Sequence, residues 1–534
     1  VIGGVLSGVG KGVTTASIGR IFKNHGFNAS AIKIDPYINI DAGTMNPIEH
    51  GEVFVTEDGD ETDQDLGNYE RFLDTNIYSI NYMTTGRVYQ SVIEKERSMF
   101  YKGRCVQVVP HIPMEVIDRI KMAAKKAEAD VMIIEVGGTV GEYENILFLE
   151  AARMMKLDIP NDVSFVLVSY LPVPSHLGEM KTKPTQHAVR TLNNAGIQPD
   201  FVIARGQYEL DKPRRDKLAF FCWMKTKEHV ISAPDMESIY DIPAWLEKQG
   251  MFAMICKVLK LKSKTKRSNA WDKFVDKMKR VNKEIKIAVV GKYFGTGDYI
   301  LSDSYHSVIE AVKHACVDND VKAAMTWIDS EKFETNPEQV KELGEYQAII
   351  VPGGFGARGV EGMITAIQYA RENKIPFLGL CYGMQLASVE FARNVLGLNQ
   401  AHTIEVDPKS PDLIININEI QKKNMIGNKY GGTMRLGAYD CELKIGSKAR
   451  KLYQQKNISE RHRHRYELNN EYREQLEKAG MDIVGVNNES NLVEIIELKN
   501  HPYFVGSQFH PEFKSRPLRP HPLFVGLIKA AIAF

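Results

Sequence analysis

The stretch Ile375–Gln385, with the sequence IPFLGLCYGMQ, decides the interpretation of the second half of the chain. An apolar run ends at Leu380 and helical spacing begins after Cys381, so we predict a buried strand, a tight turn and a helix. The G-x-C-x-G turn has the pattern of a nucleophile elbow, with sulfur in place of a serine oxygen. A helix N-terminus lowers the pKa of a thiol placed there and favours the reactive thiolate. The stretch therefore predicts an α/β unit with a nucleophilic cysteine.

Two other segments supply the groups that such a nucleophile needs. His510 and Glu512 follow an apolar run and, in extended backbone, would point to the same face, so that the carboxylate could orient an imidazole base. The loop 352–356 (PGGFG) follows the predicted strand Ala348–Val351, and its N–H groups could form an oxyanion hole. Each feature alone is usually structural, but their combination in one domain favours catalysis.

The N-terminal segment 3–12 (GGVLSGVGKG) follows an apolar run and precedes a segment with helical spacing. Backbone N–H groups of such a loop can surround a phosphate, and its lysine can reach the outer phosphates. The strict P-loop pattern fails at Val5 and Gly12, so a simple turn remains an alternative. The candidate phosphate-binding residues are Ser7, Gly8, Gly10, Lys11 and Gly12.

Acidic residues in the same half favour a nucleotide site. The apolar run Val131–Val136 carries Glu135 near its end, where a nucleotide-bound Mg²⁺ would be held. Asp65 closes the acidic stretch 57–65, for which a solvated loop is the alternative.

The segment 181–187 (KTKPTQH) concentrates positive charge at the start of a predicted helix. Lys181 and Lys183 could bind an anion at that helix N-terminus, and Lys217 of the next predicted helix could join them. Solvated surface lysines fit the pattern equally well. Two anion sites would accommodate two nucleotides, or a nucleotide and an acidic substrate.

Composition limits the class of protein. The chain has 534 residues, is 43% hydrophobic and 25% charged, and carries a net charge of +1. Such a balance argues against binding of nucleic acid or membranes through overall charge, and no apolar run approaches the roughly 18 residues of a spanning helix. The 6 cysteines are scattered, which fits a reducing compartment, so we expect a soluble cytoplasmic protein. Because the sequence begins at Val1, within an apolar run, we expect a few residues to precede it.

Short apolar runs alternate with amphipathic stretches in both halves, which predicts helices around parallel sheets. A lysine- and arginine-rich stretch between the halves, residues 257–284, is predicted to be a linker with a helix around Trp271–Val281; a nucleic-acid-binding arm is the less favoured alternative. The predicted strands of the first half are Val1–Leu6, Ala29–Ile34, Val106–Val109, Val131–Val136, Ser164–Tyr170 and Phe201–Ala204.

Several longer strings carry a resemblance to a known family. They are 33–39 (KIDPYIN), 50–55 (HGEVFV), 67–72 (GNYERF), 108–112 (VVPHI), 181–186 (KTKPTQ) and 460–467 (ERHRHRYE). Over nearly its whole length the chain resembles the class I glutamine amidotransferases and, more closely, the CTP synthase family. The resemblance implies a P-loop-like parallel-sheet amidoligase domain at 1–256, an interdomain linker at 257–284 and a class I glutaminase α/β domain at 285–534.

The reaction implied by the resemblance is the ATP-dependent amination of UTP to CTP, with ammonia released from glutamine and passed between the domains. Lys11 and Lys33 would neutralise charge on the transferred phosphoryl group, and Arg205 would lie near ATP. The implied cofactor is Mg²⁺, held by Asp65 and Glu135.

Other site residues are carried over position by position. The UTP and CTP contacts would be Glu142, Glu144, Lys181, Lys183, Gln186 and Lys217. The glutaminase triad would be Cys381, His510 and Glu512, with oxyanion N–H groups from Gly354 and Tyr382. Glutamine would be bound by Gln385, Glu405 and Arg465, and ammonia would pass a constriction at Pro47, His50 and Val53. The family favours aspartate at Glu142, leucine at Tyr382 and threonine at Ile2.

The resemblance also implies CTP as a feedback inhibitor, GTP as an activator, a homotetramer with UTP sites shared between subunits, and filaments; no nucleic-acid or membrane partner is expected.

One alternative is a related amidoligase of the cobyrinic acid amidation type, against which the segment 181–186 argues. A GMP-synthase-like enzyme would need an SGGVDS loop, which the sequence lacks. A non-catalytic filament-forming homologue should have lost Cys381, Lys11 or an acidic metal ligand, and all are present.

Overall fold

The computed structural model describes residues 1–45, 51–176, 178–292, 295–296, 299–300, 302–417 and 434–534. They form two compact units, each with its own sheet and core. The first unit comprises Val1–Asp41 and Asn68–Val275, and the second comprises Ala42–Gly67 and Asp276–Phe534. We call residues 42–67 the insert, because this segment of the first half of the chain belongs to the second unit. Pro47 and His50 lie outside the described residues.

The first unit contains a seven-stranded parallel sheet with the order β5-β2-β6-β1-β7-β8-β9. Every residue of β2 is buried, because helices cover both faces of the sheet. The strands are β1 Ile2–Gly4, β2 Ala29–Asp35, β5 Tyr82–Thr84, β6 Val131–Val136, β7 Val166–Tyr170, β8 Phe201–Gly206 and β9 Val230–Pro234; β3 Phe54–Val55 and β4 Glu61–Thr62 form a hairpin in the insert.

The helices of the first half follow the βα alternation that the sequence predicts. The helix expected around Trp271–Val281 spans Ala270–Arg280 and buries Trp271 against Tyr240 and Phe72. The helices are α1 Lys11–Asn24, α2 Asp65–Leu73, α3 Thr85–Arg97, α4 Val108–Lys126, α5 Ile146–Asp158, α6 Lys183–Asn194, α7 Lys212–Phe221, α8 Ile242–Lys248, α9 Met251–Val258 and α10 Ala270–Arg280.

One strand prediction in this half is wrong. Val106–Val109 forms no strand, since α4 begins at Val108. Within the helix, Val109 has extended φ/ψ, because the proline that follows it disfavours the α region for the preceding residue. The side chains of Val108 and Val109 are also half-exposed, whereas Val106 packs against the core.

The second unit is built on a nine-stranded mixed sheet with the order β13-β10-β14-β15-β23-β22-β21-β18-β19. The first five strands of that order are parallel, and the remaining pairs are antiparallel. The sheet strands are β10 Glu284–Gly291, β13 Lys322–Asp329, β14 Ala348–Val351, β15 Phe377–Leu380, β18 Arg435–Leu443, β19 Asn457–His464, β21 Met481–Asn487, β22 Leu492–Leu498 and β23 Phe504–Ser507; smaller pairings involve β11 Gly295–Thr296, β12 Tyr299–Ile300, β16 His402–Thr403, β17 Leu413–Ile417 and β20 Tyr466–Leu468.

Two apolar cores sandwich this sheet. Along β14, Ile349 and Val351 face one core, whereas Ala348 and Ile350 face the other, as the period of a strand requires. The helices of this half are α11 His306–Asp318, α12 Glu331–Thr335, α13 Val360–Glu372, α14 Tyr382–Asn394, α15 Lys448–Tyr453, α16 Arg473–Ala479 and α17 Pro522–Ala533. In the parts of the chain that the structure describes, no helix is long and apolar enough to cross a membrane.

Candidate functional site

The turn between β15 and α14 has the geometry that the sequence predicts for a nucleophile elbow. Cys381 is the single residue between strand and helix, and its φ of 49° and ψ of −97° are strained for a side-chain-bearing residue. A Cβ atom on Gly383 would lie 2.1 Å from the carbonyl oxygen of Val351, and one on Gly379 would lie 2.8 Å from the backbone of Gly383. Only glycine at both positions lets the strand and helix approach closely enough to hold the cysteine in this conformation.

His510 and Glu512 form the predicted pair, but through a different backbone. The strand β23 ends at Ser507, and Pro511–Lys514 is a 3₁₀ turn, so the prediction of extended backbone at these residues is wrong. The turn nevertheless places His510 Nδ1 2.7 Å from Glu512 Oε1. The other ring nitrogen, Nε2, is buried without a nitrogen or oxygen partner among the described residues, and it belongs to a ring within hydrogen-bonding reach of the Cys381 thiol.

Electrostatics around the sulfur favour a thiolate. Burial by itself raises the pKa of Cys381, but the positive charge of His510 and hydrogen bonds with His464 and His510 outweigh that cost and lower the pKa to about 6. Burial lowers the pKa of His510, whereas the charges of Glu512 and Cys381 raise it to about 10. Near neutral pH the pair is therefore a thiolate beside an imidazolium, the state from which a cysteine nucleophile attacks.

The glycine-rich loop 352–356 packs directly on this pair. A Cβ atom on Gly353 would lie 2.9 Å from Cε1 of His510, so a side chain there would displace the imidazole. A Cβ on Gly354 would lie 3.6 Å from the ring of Tyr382, the first residue of α14. This packing is compatible with the predicted oxyanion role of the Gly354 and Tyr382 N–H groups.

The side chain of Tyr382 has a role that the sequence analysis missed, since only its backbone was expected to act. Its hydroxyl donates to the carbonyl oxygen of Gly356 at 2.9 Å, and the same oxygen accepts from Lys292 Nζ at 2.6 Å. The N–H of Gly356 donates to Glu405 Oε1 at 2.7 Å. Three side chains thus fix the end of the oxyanion loop, and one of them is the predicted glutamine ligand Glu405.

Gln385 is linked to the Cys381 thiol through Gln508. Its Nε2 donates to the carbonyl oxygen of Tyr466 at 2.8 Å and to Gln508 Oε1 at 3.2 Å. Gln508, fully buried, donates through Nε2 to the Cys381 sulfur at 3.7 Å. Arg465 is half-buried beside Tyr466. Gln508 was not predicted, although its place two residues before His510 could have drawn attention to it.

A cavity of about 100 Å³ opens onto the sulfur, and the insert provides part of its wall. Glu52 and Val53 line it together with Gly354, Arg463 and His510. Glu52 is held by Ser307, whose backbone N–H donates to both carboxylate oxygens at 3.0 and 3.1 Å. Val53, predicted at the ammonia passage, therefore lies at the cavity that opens onto Cys381.

In the first unit, the loop between β1 and α1 has the backbone of a phosphate-binding turn. Val5, Gly8 and Gly10 all have left-handed φ values of 81°, 68° and 88°. Lys11 begins α1, is 8% exposed and donates from Nζ to the carbonyl oxygen of Gly138 at 2.9 Å. A Cβ atom on Gly10 would lie 3.6 Å from Arg205 Nε, so the predicted ATP residue Arg205 does lie at this loop.

Glu135 and Lys33 form a buried ion pair beside the loop. Lys33 Nζ lies 2.9 Å from Glu135 Oε1, and the hydroxyl of Tyr69 donates to the other carboxylate oxygen. The second predicted metal ligand, Asp65, lies in the insert, where its N–H donates to Asp63 Oδ1 at 2.7 Å. Within the described ranges, no group of three or more His, Cys, Asp or Glu side chains is arranged to hold a metal ion.

The predicted pyrimidine-nucleotide residues lie on three elements. Lys183 begins α6, and Gln186 one turn later donates from Nε2 to Thr182 Oγ1 at 3.2 Å. Lys181 pairs with Glu179 at 2.8 Å. Lys217 is exposed on α7, and before α5 Glu142 accepts from the hydroxyl of Thr139, while Glu144 is exposed.

Comparison with known proteins identifies the family. Residues 1–261 match the family model described as CTP synthase N-terminus, and residues 300–530 match glutamine amidotransferase class-I. The CTP synthases of Symbiobacterium thermophilum and Bacillus subtilis are each 49% identical to the chain, covering 100% of it and 98% of their own length. The chain belongs to the CTP synthase family. The CTP synthase of Pyrococcus furiosus is 51% identical over 99% of the chain and 97% of its own length.

Membership of this family over the full length makes the protein a glutamine-hydrolysing ligase that forms CTP. The cobyrinic-acid-type amidoligase and the non-catalytic homologue are not supported. Among solved structures, the Trypanosoma brucei CTPS glutaminase domain with bound acivicin is 37% identical, with a TM-score of 0.43, and covers 47% of this chain and 94% of that one.

We expect Tyr382→Phe to lower the rate of glutamine hydrolysis about three- to tenfold, because one hydrogen bond to the oxyanion loop contributes on the order of 1 kcal/mol. Ammonia-dependent CTP formation should not change. Tyr369→Phe is the matched control, since that half-exposed tyrosine donates a long hydrogen bond to the Lys341 carbonyl oxygen at 3.4 Å, away from the Cys381 cavity. Equal losses in both variants would contradict a role of the Tyr382 hydroxyl in the loop.

The pH dependence of Cys381 alkylation tests the electrostatics. Because the pKa of this thiol is lowered to about 6, its reaction with iodoacetamide should rise as pH increases through about 6 and then level off. Burial instead raises the pKa of Cys222 to about 11 and that of Cys316 to about 12, so these thiols should stay unreactive below pH 9. The rates are measured on separated peptides by mass spectrometry. A Cys381 profile that rises only near pH 9 would contradict the thiolate assignment.

Proposed function

We propose that the two units divide the CTP synthase reaction between an ATP-dependent activation of UTP and a cysteine-dependent release of ammonia from glutamine. The single observation that best supports the division is the Cys381–His510–Glu512 arrangement at a strained elbow, in a different unit from the phosphate-binding loop. The triad needs a cysteine thiolate, whereas the phosphate-binding loop needs a cluster of cations.

In the first unit, the loop at Gly8 and Gly10 would bind the ATP phosphates through backbone N–H groups, with Lys11 on the outer phosphates. Transfer of the γ-phosphoryl group to the uracil 4-oxygen turns a poor leaving group into a good one. Lys33 would neutralise charge that develops on the transferred group, which requires it to share its ammonium between Glu135 and the phosphate. A small apolar pocket beside Gly10, lined by Arg205, Pro234 and Trp245, would take the adenine.

Mg²⁺ fits the carboxylate of Glu135. Glu135 presents a buried carboxylate next to the phosphate-binding loop, and hard oxygen ligands of this kind, together with phosphate oxygens, are what Mg²⁺ takes. We assign Glu135 and Asp65 as the residues that would hold it. When bound, the ion would neutralise charge on the ATP phosphates during transfer.

UTP would bind where positive charge collects at the start of α6. Lys181 and Lys183 would supply the charge, the N-terminus of a 12-residue helix adds to it, and the exposed Lys217 of α7 would join them. CTP carries the same triphosphate and would compete at this site as the feedback inhibitor. We assign the pyrimidine side to Glu142 and Glu144.

In the second unit, Cys381 would attack the glutamine side-chain carbonyl as a thiolate, its proton resting on His510. The tetrahedral oxyanion would be stabilised by the N–H groups of Gly354 and Tyr382. When the C–N bond breaks, His510 returns its proton to the leaving ammonia, and a thioester forms; water then hydrolyses the thioester to glutamate and restores the thiol. Gln385, Glu405 and Arg465 would hold the amino acid end of the substrate.

Ammonia would leave this cavity past Val53, the residue of the insert that lines it. Pro47 and His50 would form the rest of the constriction.

GTP is proposed as the activator of glutamine hydrolysis, which a titration of the glutaminase rate with GTP would test. The reactive thiolate and the absence of disulfides among the six cysteines support a cytoplasmic location.

Exposed apolar side chains beside the proposed UTP site support a tetramer. Phe220, Phe221 and Trp223 are 70%, 58% and 82% exposed directly after Lys217, and Tyr143, between Glu142 and Glu144, is 91% exposed. Such side chains are costly to leave in water and are enriched at the centres of interfaces. A partner subunit that covered them would also border the UTP site, as the sharing of that site between subunits requires.

Two substitutions separate the half-reactions. Cys381→Ala should abolish glutamine-dependent CTP formation and leave ammonia-dependent formation intact, because only the nucleophile is removed. Lys11→Ala should lower both by about 100-fold or more, because a cation on the transferred phosphoryl group is lost. Lys257→Ala, an exposed lysine of α9, is the control. Glutamine-dependent activity in Cys381→Ala would contradict the assigned nucleophile.

The tetramer is tested with Phe221→Asp combined with Trp223→Asp. We expect light scattering to show a smaller particle than the tetramer, and the KM for UTP to rise, because the shared site is opened. Ile445→Asp changes an isoleucine of the second unit that is 87% exposed and should leave both quantities unchanged. A parent protein that is monomeric and fully active would contradict the proposal.

A further inference from the structure

Alternate residues of β19 contact different parts of the second unit. Arg461 and Arg463 bind the insert, with their Nε atoms 2.8 Å from Glu57 Oε2 and 2.8 Å from Glu61 Oε1. The residues between and after them, His462 and His464, project from the other side of the strand and are 0% and 5% exposed. One short string, RHRH, therefore holds the insert with its arginines and buries two imidazoles with its histidines.

His464 is oriented like a member of a triad. Its Nε2 lies 2.9 Å from Glu467 Oε1 on β20, three residues further along the chain. Its Nδ1 is buried and, within the described parts of the chain, has no nitrogen or oxygen partner. The Cys381 sulfur is within hydrogen-bonding reach of this ring.

The arrangement repeats that of His510. In each case a carboxylate fixes one ring nitrogen, at 2.7 Å for Glu512 and 2.9 Å for Glu467, and the second nitrogen is buried without a nitrogen or oxygen partner in the described ranges. Two histidine–glutamate pairs, carried by different elements, thus converge on one sulfur.

Charged groups pack around His464 from several elements. Arg435 of β18 lies 3.6 Å from Glu467 and 2.6 Å from Glu494 of β22, and Glu494 also accepts from His462 at 2.7 Å. The titratable and charged groups around Cys381 and His464 are Arg435, His462, Glu467, Glu494, His510 and Glu512. Glu52 and Arg463 lie in the cavity wall.

The balance of these charges keeps His464 cationic. Burial lowers its pKa, but the charge of Glu467 and the hydrogen bond with Cys381 raise it to about 9. Burial lowers the pKa of the neighbouring His462 below its usual value, although the charge of Glu494 acts in the opposite direction.

We propose that His464, held by Glu467, is a second positioning residue of the glutaminase: it donates a hydrogen bond from Nδ1 to the Cys381 thiolate and keeps its own proton throughout the reaction. His510 alone takes the thiol proton and passes it to ammonia. His464 therefore stabilises the thiolate before attack and again when the thioester is hydrolysed and the sulfur leaves. The inference rests on the assignment of Cys381 as the nucleophile.

The test measures the pH profile of Cys381 alkylation in full-length His464→Gln. Loss of one of two cations beside the sulfur should raise the midpoint by about one pH unit, toward the ordinary thiol value. Glutamine hydrolysis should fall about twofold at pH 7, where the thiolate fraction drops from about 0.9 to about 0.5, and about ninefold at pH 5; ammonia-dependent CTP formation should not change. His501→Gln removes another buried histidine, which contacts the Ala370 carbonyl oxygen, and should leave the midpoint unchanged.

Glu467→Gln is the second variant, because it preserves the side-chain volume and the His464 ring. It removes the charge that keeps the ring cationic, so the midpoint should move in the same direction. An unchanged midpoint in the folded variants, even with slower glutamine hydrolysis, would show a purely structural role and overturn the proposal. A failure of the nucleophile assignment itself would instead appear as glutamine-dependent activity in Cys381→Ala.

Discussion

The second unit depends on one backbone constraint, the left-handed conformation of Cys381. Strain of this kind persists only where the surroundings enforce it, and here the backbone packs so closely around the turn that neither Gly379 nor Gly383 has room for a Cβ atom. The parallel strands β14, β15 and β23 place the oxyanion loop, the cysteine and the histidine at adjacent strand ends. The triad is therefore a product of strand order, although its members are far apart in sequence.

Around that turn, burial and neighbouring charges shift the pKa values of Cys381 and His510 in opposite directions, and the effect of the charges is larger. Desolvation alone would keep Cys381 protonated and His510 neutral. The carboxylate of Glu512 reverses the preference of the imidazole, which in turn reverses that of the thiol. In the same way, Glu467 raises the pKa of His464, and His464 lowers the pKa of Cys381. A buried site can thus hold a thiolate without exposing it to water.

Sequence patterns predicted the features whose cause is local. The glycines flanking Cys381 are needed for close backbone approach, and Gly8 and Gly10 before Lys11 adopt left-handed backbone angles, so glycine spacing predicted both turns. Val106–Val109 had the composition of a strand, but Pro110 and surface exposure put it at a helix start instead. The hydroxyl of Tyr382 and the amide of Gln508 act through contacts with residues more than 20 and 120 positions away, which no local pattern reports.

The insert gives the glutaminase unit a wall encoded far from the rest of it. Residues 42–67 leave the nucleotide-binding unit, place Glu52 and Val53 at the cysteine cavity, and return. A polypeptide that began at Asp276 would retain the complete triad, but the buried guanidinium of Arg461 would lose Glu57, and the cavity would lose that side of its lining. A cut between the two halves of the chain would therefore leave the triad in a unit that lacks one wall of its cavity.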